Sequence, residues 1–221
     1  MAKVSEQRAE SVEIPFNGYG LQGELVMPAN SLGIVLFAHG SGSSRHSPRN
    51  QFVAGTLRAR RMGTMLLDLL TEEEEKEDWF RGHLRFDISL LAERLMGAAN
   101  WVQEREEGLG LGYFGSSTGA AAALVATAGS TVPVKAIVSR GCRPDLADAV
   151  LPKIKAPTLL IVGSEDTAVI AMNQKAYVRL NCEKELKLVP GATHLFEEPG
   201  ALEQVAEMAG EWFHKHFREQ G

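Results

Sequence analysis

Residues Gly115-Ser116-Ser117-Thr118-Gly119 combine a nucleophilic side chain with the backbone freedom needed to present it. The apolar run Leu111-Gly112-Tyr113-Phe114 before them reads as the end of a buried strand, and the alanine-rich run Ala120 to Ala126 reads as a helix packed close to a sheet. A strand that turns this sharply into a helix strains its central residue and leaves no room for flanking side chains, which accounts for a glycine on each side. Ser117 would then project its hydroxyl at a helix N-terminus, where backbone N–H groups and the helix dipole favour negative charge. The same pattern also describes an ordinary glycine-rich turn. The chemistry therefore depends on what lies downstream, because a serine hydroxyl is a poor nucleophile until a base takes its proton and an acid orients that base.

A candidate acid follows the apolar run Ala156-Pro157-Thr158-Leu159-Leu160-Ile161-Val162, which reads as a buried parallel strand ending in Gly163-Ser164-Glu165-Asp166. Asp166 falls just past its carboxyl end, where open α/β sheets gather functional groups. Glu165 is the rival acid, and the alternative role for Asp166 is to cap the helical stretch Val169 to Leu180. A candidate base, His194, lies in the loop that follows the strand Glu185 to Val189. His214 and His216 fall in a terminal amphipathic helix and His83 near a helix start, so these three read as solvated; His39 and His46 belong to an earlier loop. Only His194 follows both the serine and the acid in a short strand-to-helix loop, giving the order Ser…Asp…His. That earlier loop, His39-Gly40-Ser41-Gly42-Ser43-Ser44, leaves the buried strand Gly33 to Ala38. Its small residues allow a backbone N–H to approach a substrate carbonyl, so Ser41 and Thr118 are the candidate oxyanion donors, with Gly42 as the alternative to Ser41.

Taken in order, His39-Gly40-Ser41-Gly42, Gly115 to Gly119, Gly163 to Asp166 and Gly191-Ala192-Thr193-His194 resemble the α/β-hydrolase fold superfamily in its compact dienelactone-hydrolase-like branch. The resemblance spans about Ser11 to Phe217 and implies Ser117 as nucleophile, Asp166 as acid and His194 as base. Dienelactone hydrolases proper look like Gly-x-Cys-x-Gly at this turn. The serine here points instead to ester hydrolysis through an acyl-enzyme. The alternatives are a lactone, thioester or carbon–carbon bond hydrolase using the same triad, or a non-catalytic binding protein on the same scaffold.

The elements needed to hold these residues are legible as alternating strands and helices. Val12 to Met27, with Asn17-Gly18 and Gly20, reads as an antiparallel hairpin, and buried strands are expected at Gly33 to Ala38, Thr64 to Leu70, Leu111 to Phe114, Val134 to Val138, Pro157 to Val162 and Glu185 to Val189. Apolar stripes over Asp87 to Gln103 (Ile88, Leu91, Leu95, Val102) and Ala201 to Phe217 (Leu202, Val205, Ala209, Trp212) predict amphipathic helices. The fold class is therefore α/β: a mainly parallel twisted sheet with helices on both faces, in a single domain over 1–221, with Met1 to Glu10 as a flexible N-terminus. Ser139 to Ala156 is too short for a cap domain, so the site should be open and suited to small esters.

At 221 residues, 44% hydrophobic and 23% charged, the composition is that of an ordinary globular domain. A net charge of -5 with no basic stripe argues against nucleic acid. Cys142 and Cys182 make no disulfide framework, and neither a signal sequence nor a membrane span is recognisable. These features fit a cytoplasmic monomer or small homo-oligomer acting on a small-molecule ester, with no membrane partner. No metal-ligand cluster or phosphate-binding glycine loop is recognisable, and no cofactor is expected. Arg45, Arg49, Arg140 and Arg143 all follow strand ends, where they either bind a substrate carboxylate or phosphate or pair with neighbouring acids. The run Thr71 to Asp78 reads as a solvated loop or helix start.

Overall fold

The computed structural model describes residues 7–218. Strands β1 (Gln7–Phe16) and β2 (Tyr19–Pro28) form the leading hairpin, and Asn17 and Gly18 both take positive φ (42° and 89°), as a two-residue turn between twisted strands requires. There follow β3 (Gly33–Ala38), α1 (Pro48–Ala59), β4 (Gly63–Leu67), α2 (Glu72–Arg81), α3 (Ile88–Arg105), β5 (Gly110–Ser116), α4 (Thr118–Gly129), β6 (Val134–Arg140), β7 (Thr158–Gly163), α5 (Thr167–Arg179), β8 (Lys184–Val189) and α6 (Ala201–Arg218). The strands make one eight-stranded sheet in the order β1-β2-β4-β3-β5-β6-β7-β8. It is antiparallel from β1 to β4 and parallel from there on.

The central strands are apolar on both faces because helices cover both. Along β3, Ile34 and Leu36 join the core beneath α3 and α4, while Val35 and Phe37 join the core beneath α1 and α6. In α4, Ala120 to Ala123 are fully buried, and their small side chains let that helix lie close to the sheet. The predicted stripes are buried as expected, except that Leu202 is only partly covered.

Three expectations need correction. Residues 1–6 of the supposed flexible terminus lie outside the described residues, but Gln7 to Glu10 belong to β1 and pair with Pro28 to Leu25. β8 is not a buried strand: it stands at the edge of the sheet, with Leu188 exposed and Val189 its one buried residue. Finally, β4 stops at Leu67, three residues short of the predicted end.

The connection after β6 contains two short 3-10 turns, Pro144–Ala147 and Leu151–Lys153, and no cap domain is present among the described residues. No helix among them is long and apolar enough to cross a membrane.

Candidate active site

Ser117 sits between β5 and α4 with φ 51° and ψ −117°, a conformation costly for a residue with a side chain, on the order of 1–3 kcal/mol. Hydrogen bonds fix it there. Its N–H donates to the Arg140 carbonyl at 3.1 Å, and its own carbonyl accepts from the N–H groups of Ala120 and Ala121. The flanking glycines are steric necessities: a Cβ at Gly115 would collide with the Ala120 backbone, and one at Gly119 would overlap the carbonyl oxygens of Ala38 and His39. Gly119→Ala should therefore lower stability by about 3 kcal/mol or more, read as a fall of roughly 6–12 °C in the thermal unfolding midpoint. An unchanged midpoint would mean that the β3 loop does not press on the turn.

The candidate acid and base meet. Asp166 Oδ2 lies 2.6 Å from His194 Nδ1, with the aspartate mostly buried and the imidazole part-exposed. Asp166 occupies the N-cap position of α5, yet its side chain makes no capping hydrogen bond there. The carboxylate is thus committed to the imidazole rather than to the helix. The rival Glu165 is exposed and accepts from the neighbouring Ser164 hydroxyl at 3.1 Å. The loops after β7 and β8 are joined: Ser164 N–H donates to Val189 O, Glu165 N–H to Ala192 O, and Gly191 N–H to Ser164 Oγ. At Gly163 a Cβ would run into the Ala192 carbonyl, so this contact too requires glycine.

Ser41 and Thr118 are adjacent, but not in the way the sequence suggests. The Ser41 N–H donates to the Thr118 hydroxyl at 2.9 Å, so serving a substrate oxygen requires that hydroxyl to turn away. The Thr118 N–H lies in the first turn of α4, where no carbonyl four residues earlier in the helix can receive it. Gly42 has φ +70°. His39 fixes the loop: Nδ1 lies 3.0 Å from the Gly40 carbonyl, and Nε2 accepts the Leu69 N–H at 3.1 Å. Burial lowers its pKa, so the neutral ring satisfies both neighbours.

Two cavities flank this loop. One, of about 190 Å³, is lined by Ser117 and His194 together with Gly40, Ser41, Arg49 and Arg140. The other, of about 170 Å³, includes Ser41 and Thr118 and has apolar walls from Leu69, Leu70, Trp79 and Leu91. Of the four arginines, Arg45 pairs with Asp68, and Arg143 pairs with Asp145 at 2.7 Å. Arg49 and Arg140 line the cavity that Ser117 and His194 share.

The acidic run after β4 is a helix start, and more ordered than a solvated face. Thr71 and Glu74 form a reciprocal capping box on α2. Glu74 also receives both terminal nitrogens of the buried Arg94 at 2.5 and 2.7 Å, which with the Thr71 contacts holds its carboxyl below the usual range despite burial. His216 is also unlike its prediction: it is buried, with its ring 4.6 Å from that of Trp212. Both cysteines are free, and burial pushes the Cys142 thiol up to about 12, which leaves it protonated and a poor nucleophile.

A mainly parallel sheet with a strained serine between β5 and α4, and an aspartate–histidine pair after β7 and β8, defines an α/β-hydrolase. The chain is 53% identical to dienelactone hydrolase from Anabaena variabilis ATCC 29413, whose crystal structure matches with a TM-score of 0.93 over 96% of this chain and 99% of that one. It therefore belongs to the dienelactone hydrolase family of α/β-hydrolases. Est1E from Butyrivibrio proteoclasticus shares the fold at 15% identity, with a TM-score of 0.81 over 95% of this chain and 99% of that one. Two proteins of Mycobacterium tuberculosis (strains CDC 1551 / Oshkosh and H37Rv), each described as a "putative phosphoribosyl transferase", are 51% identical over 211 residues, 95% of this chain. The chain spans about half the length (47%) of these curated relatives. No family model matches it.

Proposed function

We propose that this protein hydrolyses small carboxylic esters through an acyl-enzyme on Ser117. The observation that carries the reading is the Asp166–His194 contact at 2.6 Å beside a cavity that Ser117 and His194 share. Asp166 holds the imidazole with its Nδ1–H toward the carboxylate, which leaves Nε2 free to accept the serine proton. The hydroxyl oxygen attacks the ester carbonyl, and the carbonyl electron pair moves onto oxygen. The Thr118 amide, and the Ser41 amide once released, donate to that oxyanion. On collapse the alkoxide departs with the proton carried by His194, and water deacylates the enzyme with His194 again acting as base. The scheme draws on no cofactor.

The kinship with a dienelactone hydrolase and the shared fold of Est1E support this reading. The transferase description is said of chains about twice as long and is not carried over. The apolar cavity beside the oxyanion loop suits a short acyl or alcohol group. Each covered methylene adds only about 0.8 kcal/mol, and the apolar walls of this cavity are few: Leu69, Leu70, Trp79 and Leu91. In an aryl-ester series kcat/KM should therefore peak at roughly two to six acyl carbons and show no jump when substrate forms an interface. A steady rise to long chains, or activation at an oil–water boundary, would mean that α2 and the turn at Leu84–Phe86 act as a lid.

A further inference from the structure

Arg140 ends β6 inside the nucleophile's cavity and is only 7% exposed, yet no carboxylate pairs with it among the described residues. Its Nη2 donates to Ser116 Oγ at 2.9 Å, and its guanidinium lies 5.6 Å from the centre of the Phe196 ring. Nε and Nη1 have no hydrogen-bond partner among the described residues. A second guanidinium adds to that burial. Burial, and after it the Arg49 guanidinium that lines the same cavity, pulls the Arg140 pKa down to about 10, still well above neutrality. Arg49 is itself half committed: Nη1 donates to the exposed Glu197 at 2.8 Å, while its buried Nε is unpartnered. A cation held out of water without a counter-charge is among the costliest groups a fold can keep, and groups perturbed in this way inside a cleft cluster at functional sites. Neither arginine has a part in the acyl-transfer scheme.

We propose that Arg140 and Arg49 form an oxyanion-binding subsite within the catalytic cavity, and that the ester cleaved at Ser117 carries a phosphate-type anion a few bonds from its scissile carbonyl. This rests on the ester-hydrolase reading and adds the substrate class to it. Two guanidinium groups match a phosphate monoester, which carries close to two negative charges at neutral pH and three acceptor oxygens, better than they match a carboxylate with one charge. The hydroxyls of Ser43 and Ser47 line the same cavity and offer further donors to a tetrahedral anion.

The test uses three p-nitrophenyl esters of matched length: butyrate, hemisuccinate and 3-phosphonopropionate. For the wild-type protein kcat/KM should be about 10- to 100-fold higher for the phosphonate than for the neutral ester, mainly through KM, with the hemisuccinate in between. In Arg140→Gln that ratio should collapse toward one. Should this buried substitution fail to fold, the part-exposed Arg49→Gln should reduce the ratio by at least several-fold, and the wild-type series stands by itself. Calorimetric titration of Ser117→Ala with inorganic phosphate supplies a readout independent of turnover: binding should be measurable and should be lost on adding Arg140→Gln. Equal rates on all three esters, together with no phosphate binding, would overturn the subsite while leaving ester hydrolysis intact. A preference for the hemisuccinate over the phosphonate would overturn the phosphate assignment. Phosphate binding without cleavage of any ester would keep the subsite and remove the hydrolase reading.

Discussion

Ser117→Ala should abolish covalent labelling by a fluorophosphonate and reduce ester turnover by on the order of 10⁴- to 10⁶-fold. The wild-type protein should be labelled once per chain, at Ser117, because the strained turn presents Ser117 to the cavity it shares with His194 while Ser116 is buried and hydrogen-bonded to Asn50 and Arg140. Alanine has no hydroxyl to lose, and its methyl group fits wherever the serine Cβ does, so the circular dichroism spectrum and unfolding midpoint should hardly move. Labelling that persists in the variant would place the nucleophile elsewhere. Cys142 is a poor candidate for it, being buried with its thiol held protonated.

Asp166→Asn should cost about ten-thousand-fold in kcat, whereas Glu165→Gln should cost less than about tenfold. An amide in place of the carboxylate can present its NH₂ to the imidazole, which turns the ring to the tautomer with its proton on Nε2 and removes the acceptor that Ser117 needs. Glu165 touches Ser164 and solvent, so neutralising it changes little at the imidazole. The opposite ranking of the two variants would move the orienting role to Glu165 and leave the 2.6 Å contact without a catalytic purpose.

Much of this arrangement could be read from the chain because its signals are local. Glycine at 115, 119 and 163 reports a collision that a side chain would cause, and β-strand apolar runs report burial on both faces. The order of serine, aspartate and histidine along the chain then does the rest. Whether Asp166 caps its helix or holds His194 is not local: both uses suit the same position, and only the approach of the loop after β8 decides between them. The same limit explains most of the misreadings. β8 is the exception: it has the length of an inner strand, and Leu186, Leu188 and Val189 read as buried, but Lys184, Glu185 and Lys187 are the charges of an edge strand with no neighbour on its far side. His216 follows the helical repeat onto the buried face beside Trp212, and Glu74 finds Arg94 twenty residues on. Arg140 looked like any strand-end arginine. Its isolation is a fact about everything that fails to surround it.

The backbone at the end of β6 also acts as a ruler. The Arg140 carbonyl holds the Ser117 N–H on one side, and on the other the Gly141 N–H is held by the Ile161 carbonyl of β7 at 2.8 Å. The strands that carry Ser117 and Asp166 therefore run two spacings apart, roughly 9.6 Å, with β6 between them, and the His194 imidazole lies close to Gly141 just past the end of β6. Its clearance is narrow: a Cβ at Gly141, where φ is +57°, would come within 3.3 Å of His194 Cε1. The space open to the His194 ring is thus bounded by a single hydrogen at position 141, and the hydrogen bonds that tie the end of β6 to both neighbouring strands fix where that bound stands.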